Sequence, residues 1–112
     1  MRPLLIVEPH EDSAELMAQL LGYAGIPVRQ GQALDKVDGQ LDAMRPGLLL
    51  LCAGPGDEAK AKDLIEQARQ RRIPVVLVSS TRQRSWPGAD AVFGKPFEVE
   101  ALVRKVQDLY QG

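Results

Sequence analysis

The chain has 112 residues, 45% hydrophobic and 26% charged, a composition that suits one folded domain over 1–112 and leaves little room for a second core. Fourteen Lys and Arg against fifteen Asp and Glu give a formal charge of -1, so no polycationic field is available for nucleic acid or an anionic membrane. One cysteine excludes an intramolecular disulfide, one histidine beside it excludes the usual zinc sets, and no apolar run approaches the roughly 18–20 residues of a membrane span. The N-terminus lacks a signal-peptide layout, and a cytoplasmic location is expected. Besides Trp86, the aromatic anchors are Tyr23, Phe93, Phe97 and Tyr110, so the core must be aliphatic.

Pro3 to Val7 (PLLIV) is a short, continuous apolar run, the pattern of a strand buried on both faces, and it ends at Glu8. Asp12 with Glu15 three residues on has the reciprocal capping pattern that opens a helix. Leu16, Met17, Leu20, Leu21 and Ala24 follow at helical spacing until Gly25. Ile26 to Gln30 reads as an edge strand, because Pro27 has no ladder donor. Leu34, Val37, Leu41 and Met44 form the stripe of a second helix, which Gly39 weakens by about 1 kcal/mol.

Pro46 and Gly47 break the chain before Leu48 to Cys52 (LLLLC), the most hydrophobic segment and the expected central strand. After a Gly and Pro cluster from Ala53 to Gly56, Asp57 to Arg71 reads as a third helix with Ala61, Leu64, Ile65 and Ala68 turned inward. Its basic end, Arg69, Arg71 and Arg72, suits the C-terminal helix dipole. Ile73 to Val78 (IPVVLV) is a fourth strand and Ala89 to Phe93 a short fifth. Glu98 to Tyr110 is a closing helix with Leu102, Val103, Val106 and Leu109 on one face.

Five apolar strands alternating with helices predict an α/β fold: a parallel sheet with right-handed crossovers and helices on both faces. Reacting or ligand-binding groups in such sheets sit beyond the C-terminal strand ends. The residues placed there are Glu8, Pro9 and His10, then Cys52, then Ser79 and Ser80, then Lys95 and Pro96.

In this order, LLIVEPHEDS, RPGLLLLC, IPVVLVSS and GADAVFGKPF resemble four segments of the receiver domains of bacterial two-component response regulators, of the chemotaxis-regulator type. They match the first strand with its acidic loop, the acceptor strand, the fourth strand, and the fifth strand with its Lys-Pro-Phe signature. The resemblance spans the whole chain and implies a flavodoxin-like, doubly wound five-stranded parallel sheet in the order 2-1-3-4-5. It also implies phosphoryl transfer to an aspartate ending the third strand, assisted by magnesium on an acidic pair after the first.

Here the acceptor position holds Cys52 and the second acidic position holds Pro9, so Glu8 is the only matching magnesium ligand. Ser79 matches the hydroxyl of the switch position, Lys95 and Pro96 match the lysine and the proline after it, and the aromatic switch position holds Val92. What the resemblance then implies is a degenerate receiver that takes no phosphoryl group and holds no metal. Such a domain is not an enzyme, has no cofactor, and signals through a protein partner or a homodimer rather than nucleic acid or membrane. The implied partner surface is the last strand and last helix, with Val92, Phe97, Leu102 and Val106, together with Trp86.

The connection Thr81 to Gly88 (TRQRSWPG) is eight residues, too few for the usual helical crossover, so the fourth helix is expected to be shortened or absent. Eight extended residues still span roughly 26 Å, enough to return along a short strand. Trp86 then either folds back as a lid on the sheet face left bare or is offered to a partner.

Rival readings attach to the same residues. Cys52 or Asp57 is an acceptor of non-standard chemistry, although Asp57 lies five residues past the strand end. Cys52 as a thiol sensor competes with the simpler view of a small hydrophobe closing a Leu run. A flavodoxin-like cofactor binder is disfavoured, because the loops after the first and third strands lack a Gly, Ser and Thr cradle. His10 with Glu8, Glu11 and Asp12 reads more simply as a solvated loop and helix cap than as a metal cluster. Two basic clusters, Arg69, Arg71 and Arg72 and then Arg82 and Arg84, suit either an acidic partner or a plain solvated face.

Overall fold

The computed structural model describes residues 2–31, 37–81, 85–94 and 97–111, the side chains of Asp38 and Gln111 aside. In chain order its elements are β1 (Leu4–Val7), α1 (Glu11–Tyr23), β2 (Val28–Gln30), α2 (Val37–Met44), β3 (Leu48–Ala53), α3 (Glu58–Gln70), β4 (Val75–Ser79), β5 (Ala91–Gly94) and α4 (Val99–Gln111). The strands form one parallel sheet in the order β2-β1-β3-β4-β5, as expected.

The continuous apolar runs became the three central strands, β1, β3 and β4, in which every residue is buried. Period-two alternation divides their side chains between two cores. Leu5, Val7, Leu49, Leu51, Val75 and Leu77 meet Val37 and Leu41 of α2 and Ala61, Leu64, Ile65 and Ala68 of α3. Leu4, Ile6, Leu48, Leu50, Cys52, Val76 and Val78 meet Leu21 of α1 and Leu102 and Val106 of α4. Each such buried Leu, Ile or Val contributes roughly 1.5–3 kcal/mol, so this aliphatic sandwich dominates the stability. β2 lies at the sheet edge, as Pro27 predicted, and the Pro27 carbonyl accepts the Leu4 N–H at 2.8 Å. Leu34, the first residue of the predicted α2 stripe, lies outside the described residues.

Several local expectations are corrected. The start of α1 is not an Asp12–Glu15 capping box: His10 is the N-cap, with no side-chain cap. Glu11 and Asp12 fall inside the first turn, where their charge favours the helix dipole without capping it. Tyr23 is no core anchor, being 88% exposed at the solvent side of the last turn of α1. β5 begins at Ala91 rather than Ala89. The Asp90 backbone and carboxylate are used instead to close the start of β4, with Asp90 N–H to the Val75 carbonyl at 2.9 Å and Val75 N–H to Asp90 Oδ2 at 2.7 Å.

α1 closes in a Schellman motif, with Ile26 N–H on the Leu21 carbonyl at 3.1 Å and Gly25 N–H on the Gly22 carbonyl at 2.9 Å, and Gly25 takes the left-handed position at φ 85. The end of α3 repeats this, with Ile73 N–H on Ala68 at 2.9 Å and Arg72 N–H on Arg69 at 3.0 Å, but the left-handed residue is Arg72 at φ 58. α2 ends on Arg45, at φ 46, whose N–H reaches the Leu41 carbonyl at 3.1 Å.

Among the described residues between β4 and β5 there is no helix. Trp86 turns inward and is only 5% exposed, within the core cluster that contains Ile65 and Leu77, and partly buried Ala89 packs against that cluster. It is therefore the lid, and its indole covers part of the sheet face that a helix would otherwise have covered. At the far end of the chain the Tyr110 hydroxyl donates to the Arg2 carbonyl, tying α4 to the start of β1. That closure needs Gly47: a Cβ there would lie 2.9 Å from Tyr110 Cε1.

Candidate functional site

Beyond the C-terminal ends of β1 and β3 lies a small recess of about 40 Å³ lined by Glu8, Pro9, His10, Cys52, Ala53, Gly54 and Ser80. Five of the strand-end residues picked from the sequence, Glu8, Pro9, His10, Cys52 and Ser80, thus come together, three of them (Glu8, Pro9 and Cys52) at positions matched to the receiver motif. The Glu8 side chain bends over its own loop, its Oε1 accepting the His10 N–H at 3.1 Å. Pro9 is exposed and offers no donor atom to the recess. Cys52 lies inside β3 rather than at its tip, paired with Val78 in register, and its side chain is 2% exposed in the α1 and α4 core.

Ser79 does not line the recess. It is buried at the end of β4, its Oγ 2.9 Å from Thr81 Oγ1 and accepting the Thr81 N–H at 3.1 Å. Alternation explains the exchange: Ser79 pairs with Ala53, on the α2 and α3 side, whereas Ser80 follows Val78 on the side that Cys52 faces. Ser80 is exposed, its N–H donates to the Ala53 carbonyl at 3.1 Å, and it is the hydroxyl that reaches the recess. The period-two count from Cys52 to Ser80 was the signal that motif matching overrode.

Lys95 and Pro96 lie outside the described residues, as do Arg82 and Arg84. Asp57 is nearer the strand end than its sequence separation suggested. Its Oδ2 accepts the Gly54 N–H at 3.0 Å while its own N–H donates to the Gly54 carbonyl at 3.0 Å, which folds the β3–α3 loop back on itself.

The expected partner surface is reshaped. Trp86, Leu102 and Val106 are buried in the chain's own core at 5%, 3% and 0% exposure, so their side chains cannot be presented to another protein in this state. Val92 remains 45% exposed on β5, because β5 puts Ala91 and Phe93 against α4 and leaves Val92 on the opposite face. Phe97 is half-buried, 6.2 Å from Phe93 in an edge-to-face pair. Phe97 and Leu102 also line an apolar groove of about 210 Å³ between α1 and α4, flanked by Leu16 at 58% and Val99 at 45% exposure.

With this geometry the chain can be set beside known proteins. No protein-family model and no curated protein matches it. Among solved structures, a two-component response regulator from Clostridium difficile is 18% identical with a TM-score of 0.82, over 99% of this chain and 97% of that one. The N-terminal domain of a response regulator/sensory box/GGDEF 3-domain protein from Carboxydothermus hydrogenoformans is 18% identical with a TM-score of 0.81, over 98% and 94%. An orphan response regulator of H. pylori is 16% identical with a TM-score of 0.78, over 97% and 96%.

The fold is that of a response regulator receiver domain. Its β2-β1-β3-β4-β5 order is the doubly wound arrangement, with the recess beside the switch point between β1 and β3. The magnesium ion that the receiver resemblance implies does not fit this recess. Magnesium requires a near-octahedral shell of oxygen donors, and the lining residues supply one carboxylate, Glu8, beside a buried thiol and a proline ring. No group of three His, Cys, Asp or Glu suited to a metal occurs among the described residues. None of the helices described is long and apolar enough to cross a membrane.

Proposed function

We propose that this domain is a degenerate receiver of the chemotaxis-regulator type, which acts in bacterial signal transduction, in the cytoplasm, by contact with a partner protein and without aspartyl phosphorylation. The observation that carries the reading is Cys52, a buried thiol at the position where the resemblance puts the acceptor carboxylate. An acyl phosphate needs a carboxylate nucleophile, and the charge gathering on the transferred oxygens needs a cation beside it. The only carboxylate among the described lining residues is Glu8, which follows β1 rather than ending β3 and already accepts the His10 N–H, and one carboxylate is too few to hold a magnesium ion. The partner surface is the β5 and α4 side, where Val92 and half-buried Phe97 are accessible.

The test is incubation with acetyl phosphate and magnesium, followed by intact mass measurement. The mass is expected to stay unchanged, and a base-labile phosphoryl adduct would overturn the reading. Mapping such an adduct to Asp57 would favour the alternative acceptor, since the hydrogen bond to Gly54 already draws that carboxylate back towards the recess. The thiol-sensor reading predicts that Cys52 is alkylated at neutral pH in the folded protein. With 2% exposure, labelling is expected only on unfolding.

A further inference from the structure

The opposite edge of the sheet, where the strands begin, collects arginines from separate parts of the chain. Arg2 precedes β1, Arg45 precedes β3, and Arg71 and Arg72 precede β4. Arg2, Arg45 and Arg71 line a cleft of about 200 Å³ with Asp42 and Ile73. On the other side of Ile73, Arg72 and Arg69 line a second cleft, of about 330 Å³, that includes Asp90.

The acids that line these two clefts, and Glu66 beside Arg69, are already engaged. Asp42 accepts from Arg71 Nε at 2.7 Å and Nη2 at 3.2 Å, Asp90 accepts the Val75 N–H, and Glu66 lies 3.5 Å from Arg69. The guanidinium groups of Arg2, Arg45 and Arg72 have no ion-pair partner among the described residues.

Arg45 and Arg72 both occupy the left-handed region, at φ 46 and 58, Arg72 at the helix-end position that α1 gives to Gly25 and Arg45 directly after the last residue of α2. A side chain there costs roughly 1–2 kcal/mol that glycine avoids. Two guanidinium groups are thus held, against backbone preference, at the mouths of adjoining clefts.

We propose that this edge docks an acidic polypeptide segment of a partner protein, whose carboxylates pair with Arg2, Arg45 and Arg72. Guanidinium forks match carboxylates in planar, two-point fashion, which suits short clefts walled by Ile73 and Pro74. A long polyanion fits less well, because the chain is net negative and its opposite edge carries Glu8, Glu11, Asp12, Glu58, Glu98 and Glu100. This surface lies across the sheet from the recess and stands independently of the reading of Cys52.

The experiment is calorimetric titration of the intact chain with a peptide of mixed Glu and Asp, at low salt and near about 0.15 M, beside a Lys peptide, a short DNA duplex and inorganic polyphosphate. Arg45→Gly with Arg72→Gly removes both guanidinium groups and relaxes the backbone, so the fold is retained. The acidic peptide is expected to bind, more weakly as salt rises, and the Lys peptide not to bind. The double variant should lose about tenfold in affinity, with an unfolding midpoint equal to or above that of the parent. The proposal is overturned if the acidic peptide gives no heat, if the double variant binds it undiminished, or if DNA or polyphosphate binds more tightly.

Discussion

The two edges of this sheet differ in opposite directions from what a parallel α/β scaffold needs. At the strand ends, the recess between β1 and β3 holds one carboxylate and a buried thiol, while Pro9 contributes no ligand atom. At the strand beginnings, arginines outnumber their acidic partners, and two of them sit in backbone conformations that glycine would occupy more cheaply. Between the edges lies an aliphatic sandwich that depends on neither. Either edge can therefore vary with little effect on the fold, because its stability resides in β1, β3 and β4 and the helices packed on them.

The comparison is tested hardest at the β4–β5 connection, where an indole does the covering. Trp86→Ala is expected to cost about 3–5 kcal/mol in urea unfolding followed by circular dichroism, because removing a large buried side chain leaves a cavity in the core cluster on the α2 and α3 side of the sheet. A loss below about 1 kcal/mol would mean that Trp86 is a surface residue after all. At the strand beginnings, Gly47→Ala should cost about 1–3 kcal/mol, since the new methyl meets Tyr110 Cε1 at 2.9 Å and the Arg2 carbonyl at 3.3 Å.

Smaller effects sharpen the contrast. Arg72→Gly should raise stability by about 0.5–1 kcal/mol, because it relieves a left-handed side chain without disturbing the Schellman hydrogen bonds. Ser80→Ala, at the other edge, should change stability by less than about 0.5 kcal/mol, since its side chain is exposed and only its backbone is bonded. The smallest effect concerns the Arg71–Asp42 pair, in which the Arg71 hydrogen bond and charge hold the Asp42 carboxyl below the ordinary aspartate range. A lowered folded value means that this contribution is complete above the unfolded-chain value and is lost as acid carries the pH down through the folded one. Asp42→Asn should therefore be slightly less stable than the parent at pH 7, and the difference should vanish in strong acid, as paired urea titrations would record.

The strands were legible because burial on both faces demands unbroken apolar runs, and PLLIV, LLLLC and IPVVLV supply them. The helix stripes of α3 and α4 were equally plain. What escaped was set by partners distant in sequence. Motif position pointed to Ser79, but strand parity sends Ser80 into the recess. Leu102 and Val106 read as an interaction stripe until α4 was laid on β1, β3 and β4, where the same stripe is core. Arg2 and Arg45 carried no signal at all, because only the parallel sheet brings residues 2, 45 and 72 to one edge. The His10 cap was missed since Asp12 and Glu15 satisfied a local pattern that the chain does not use.

Because the chain has a single tryptophan, and it belongs to the β4–β5 connection with its side chain buried in the core, the protein carries its own optical reporter. Emission from Trp86 should be blue-shifted while the indole is dry and move to the red when that connection lifts, even if the rest of the sheet stays folded. A partner that pries the lid open would thus announce itself by colour, without any label.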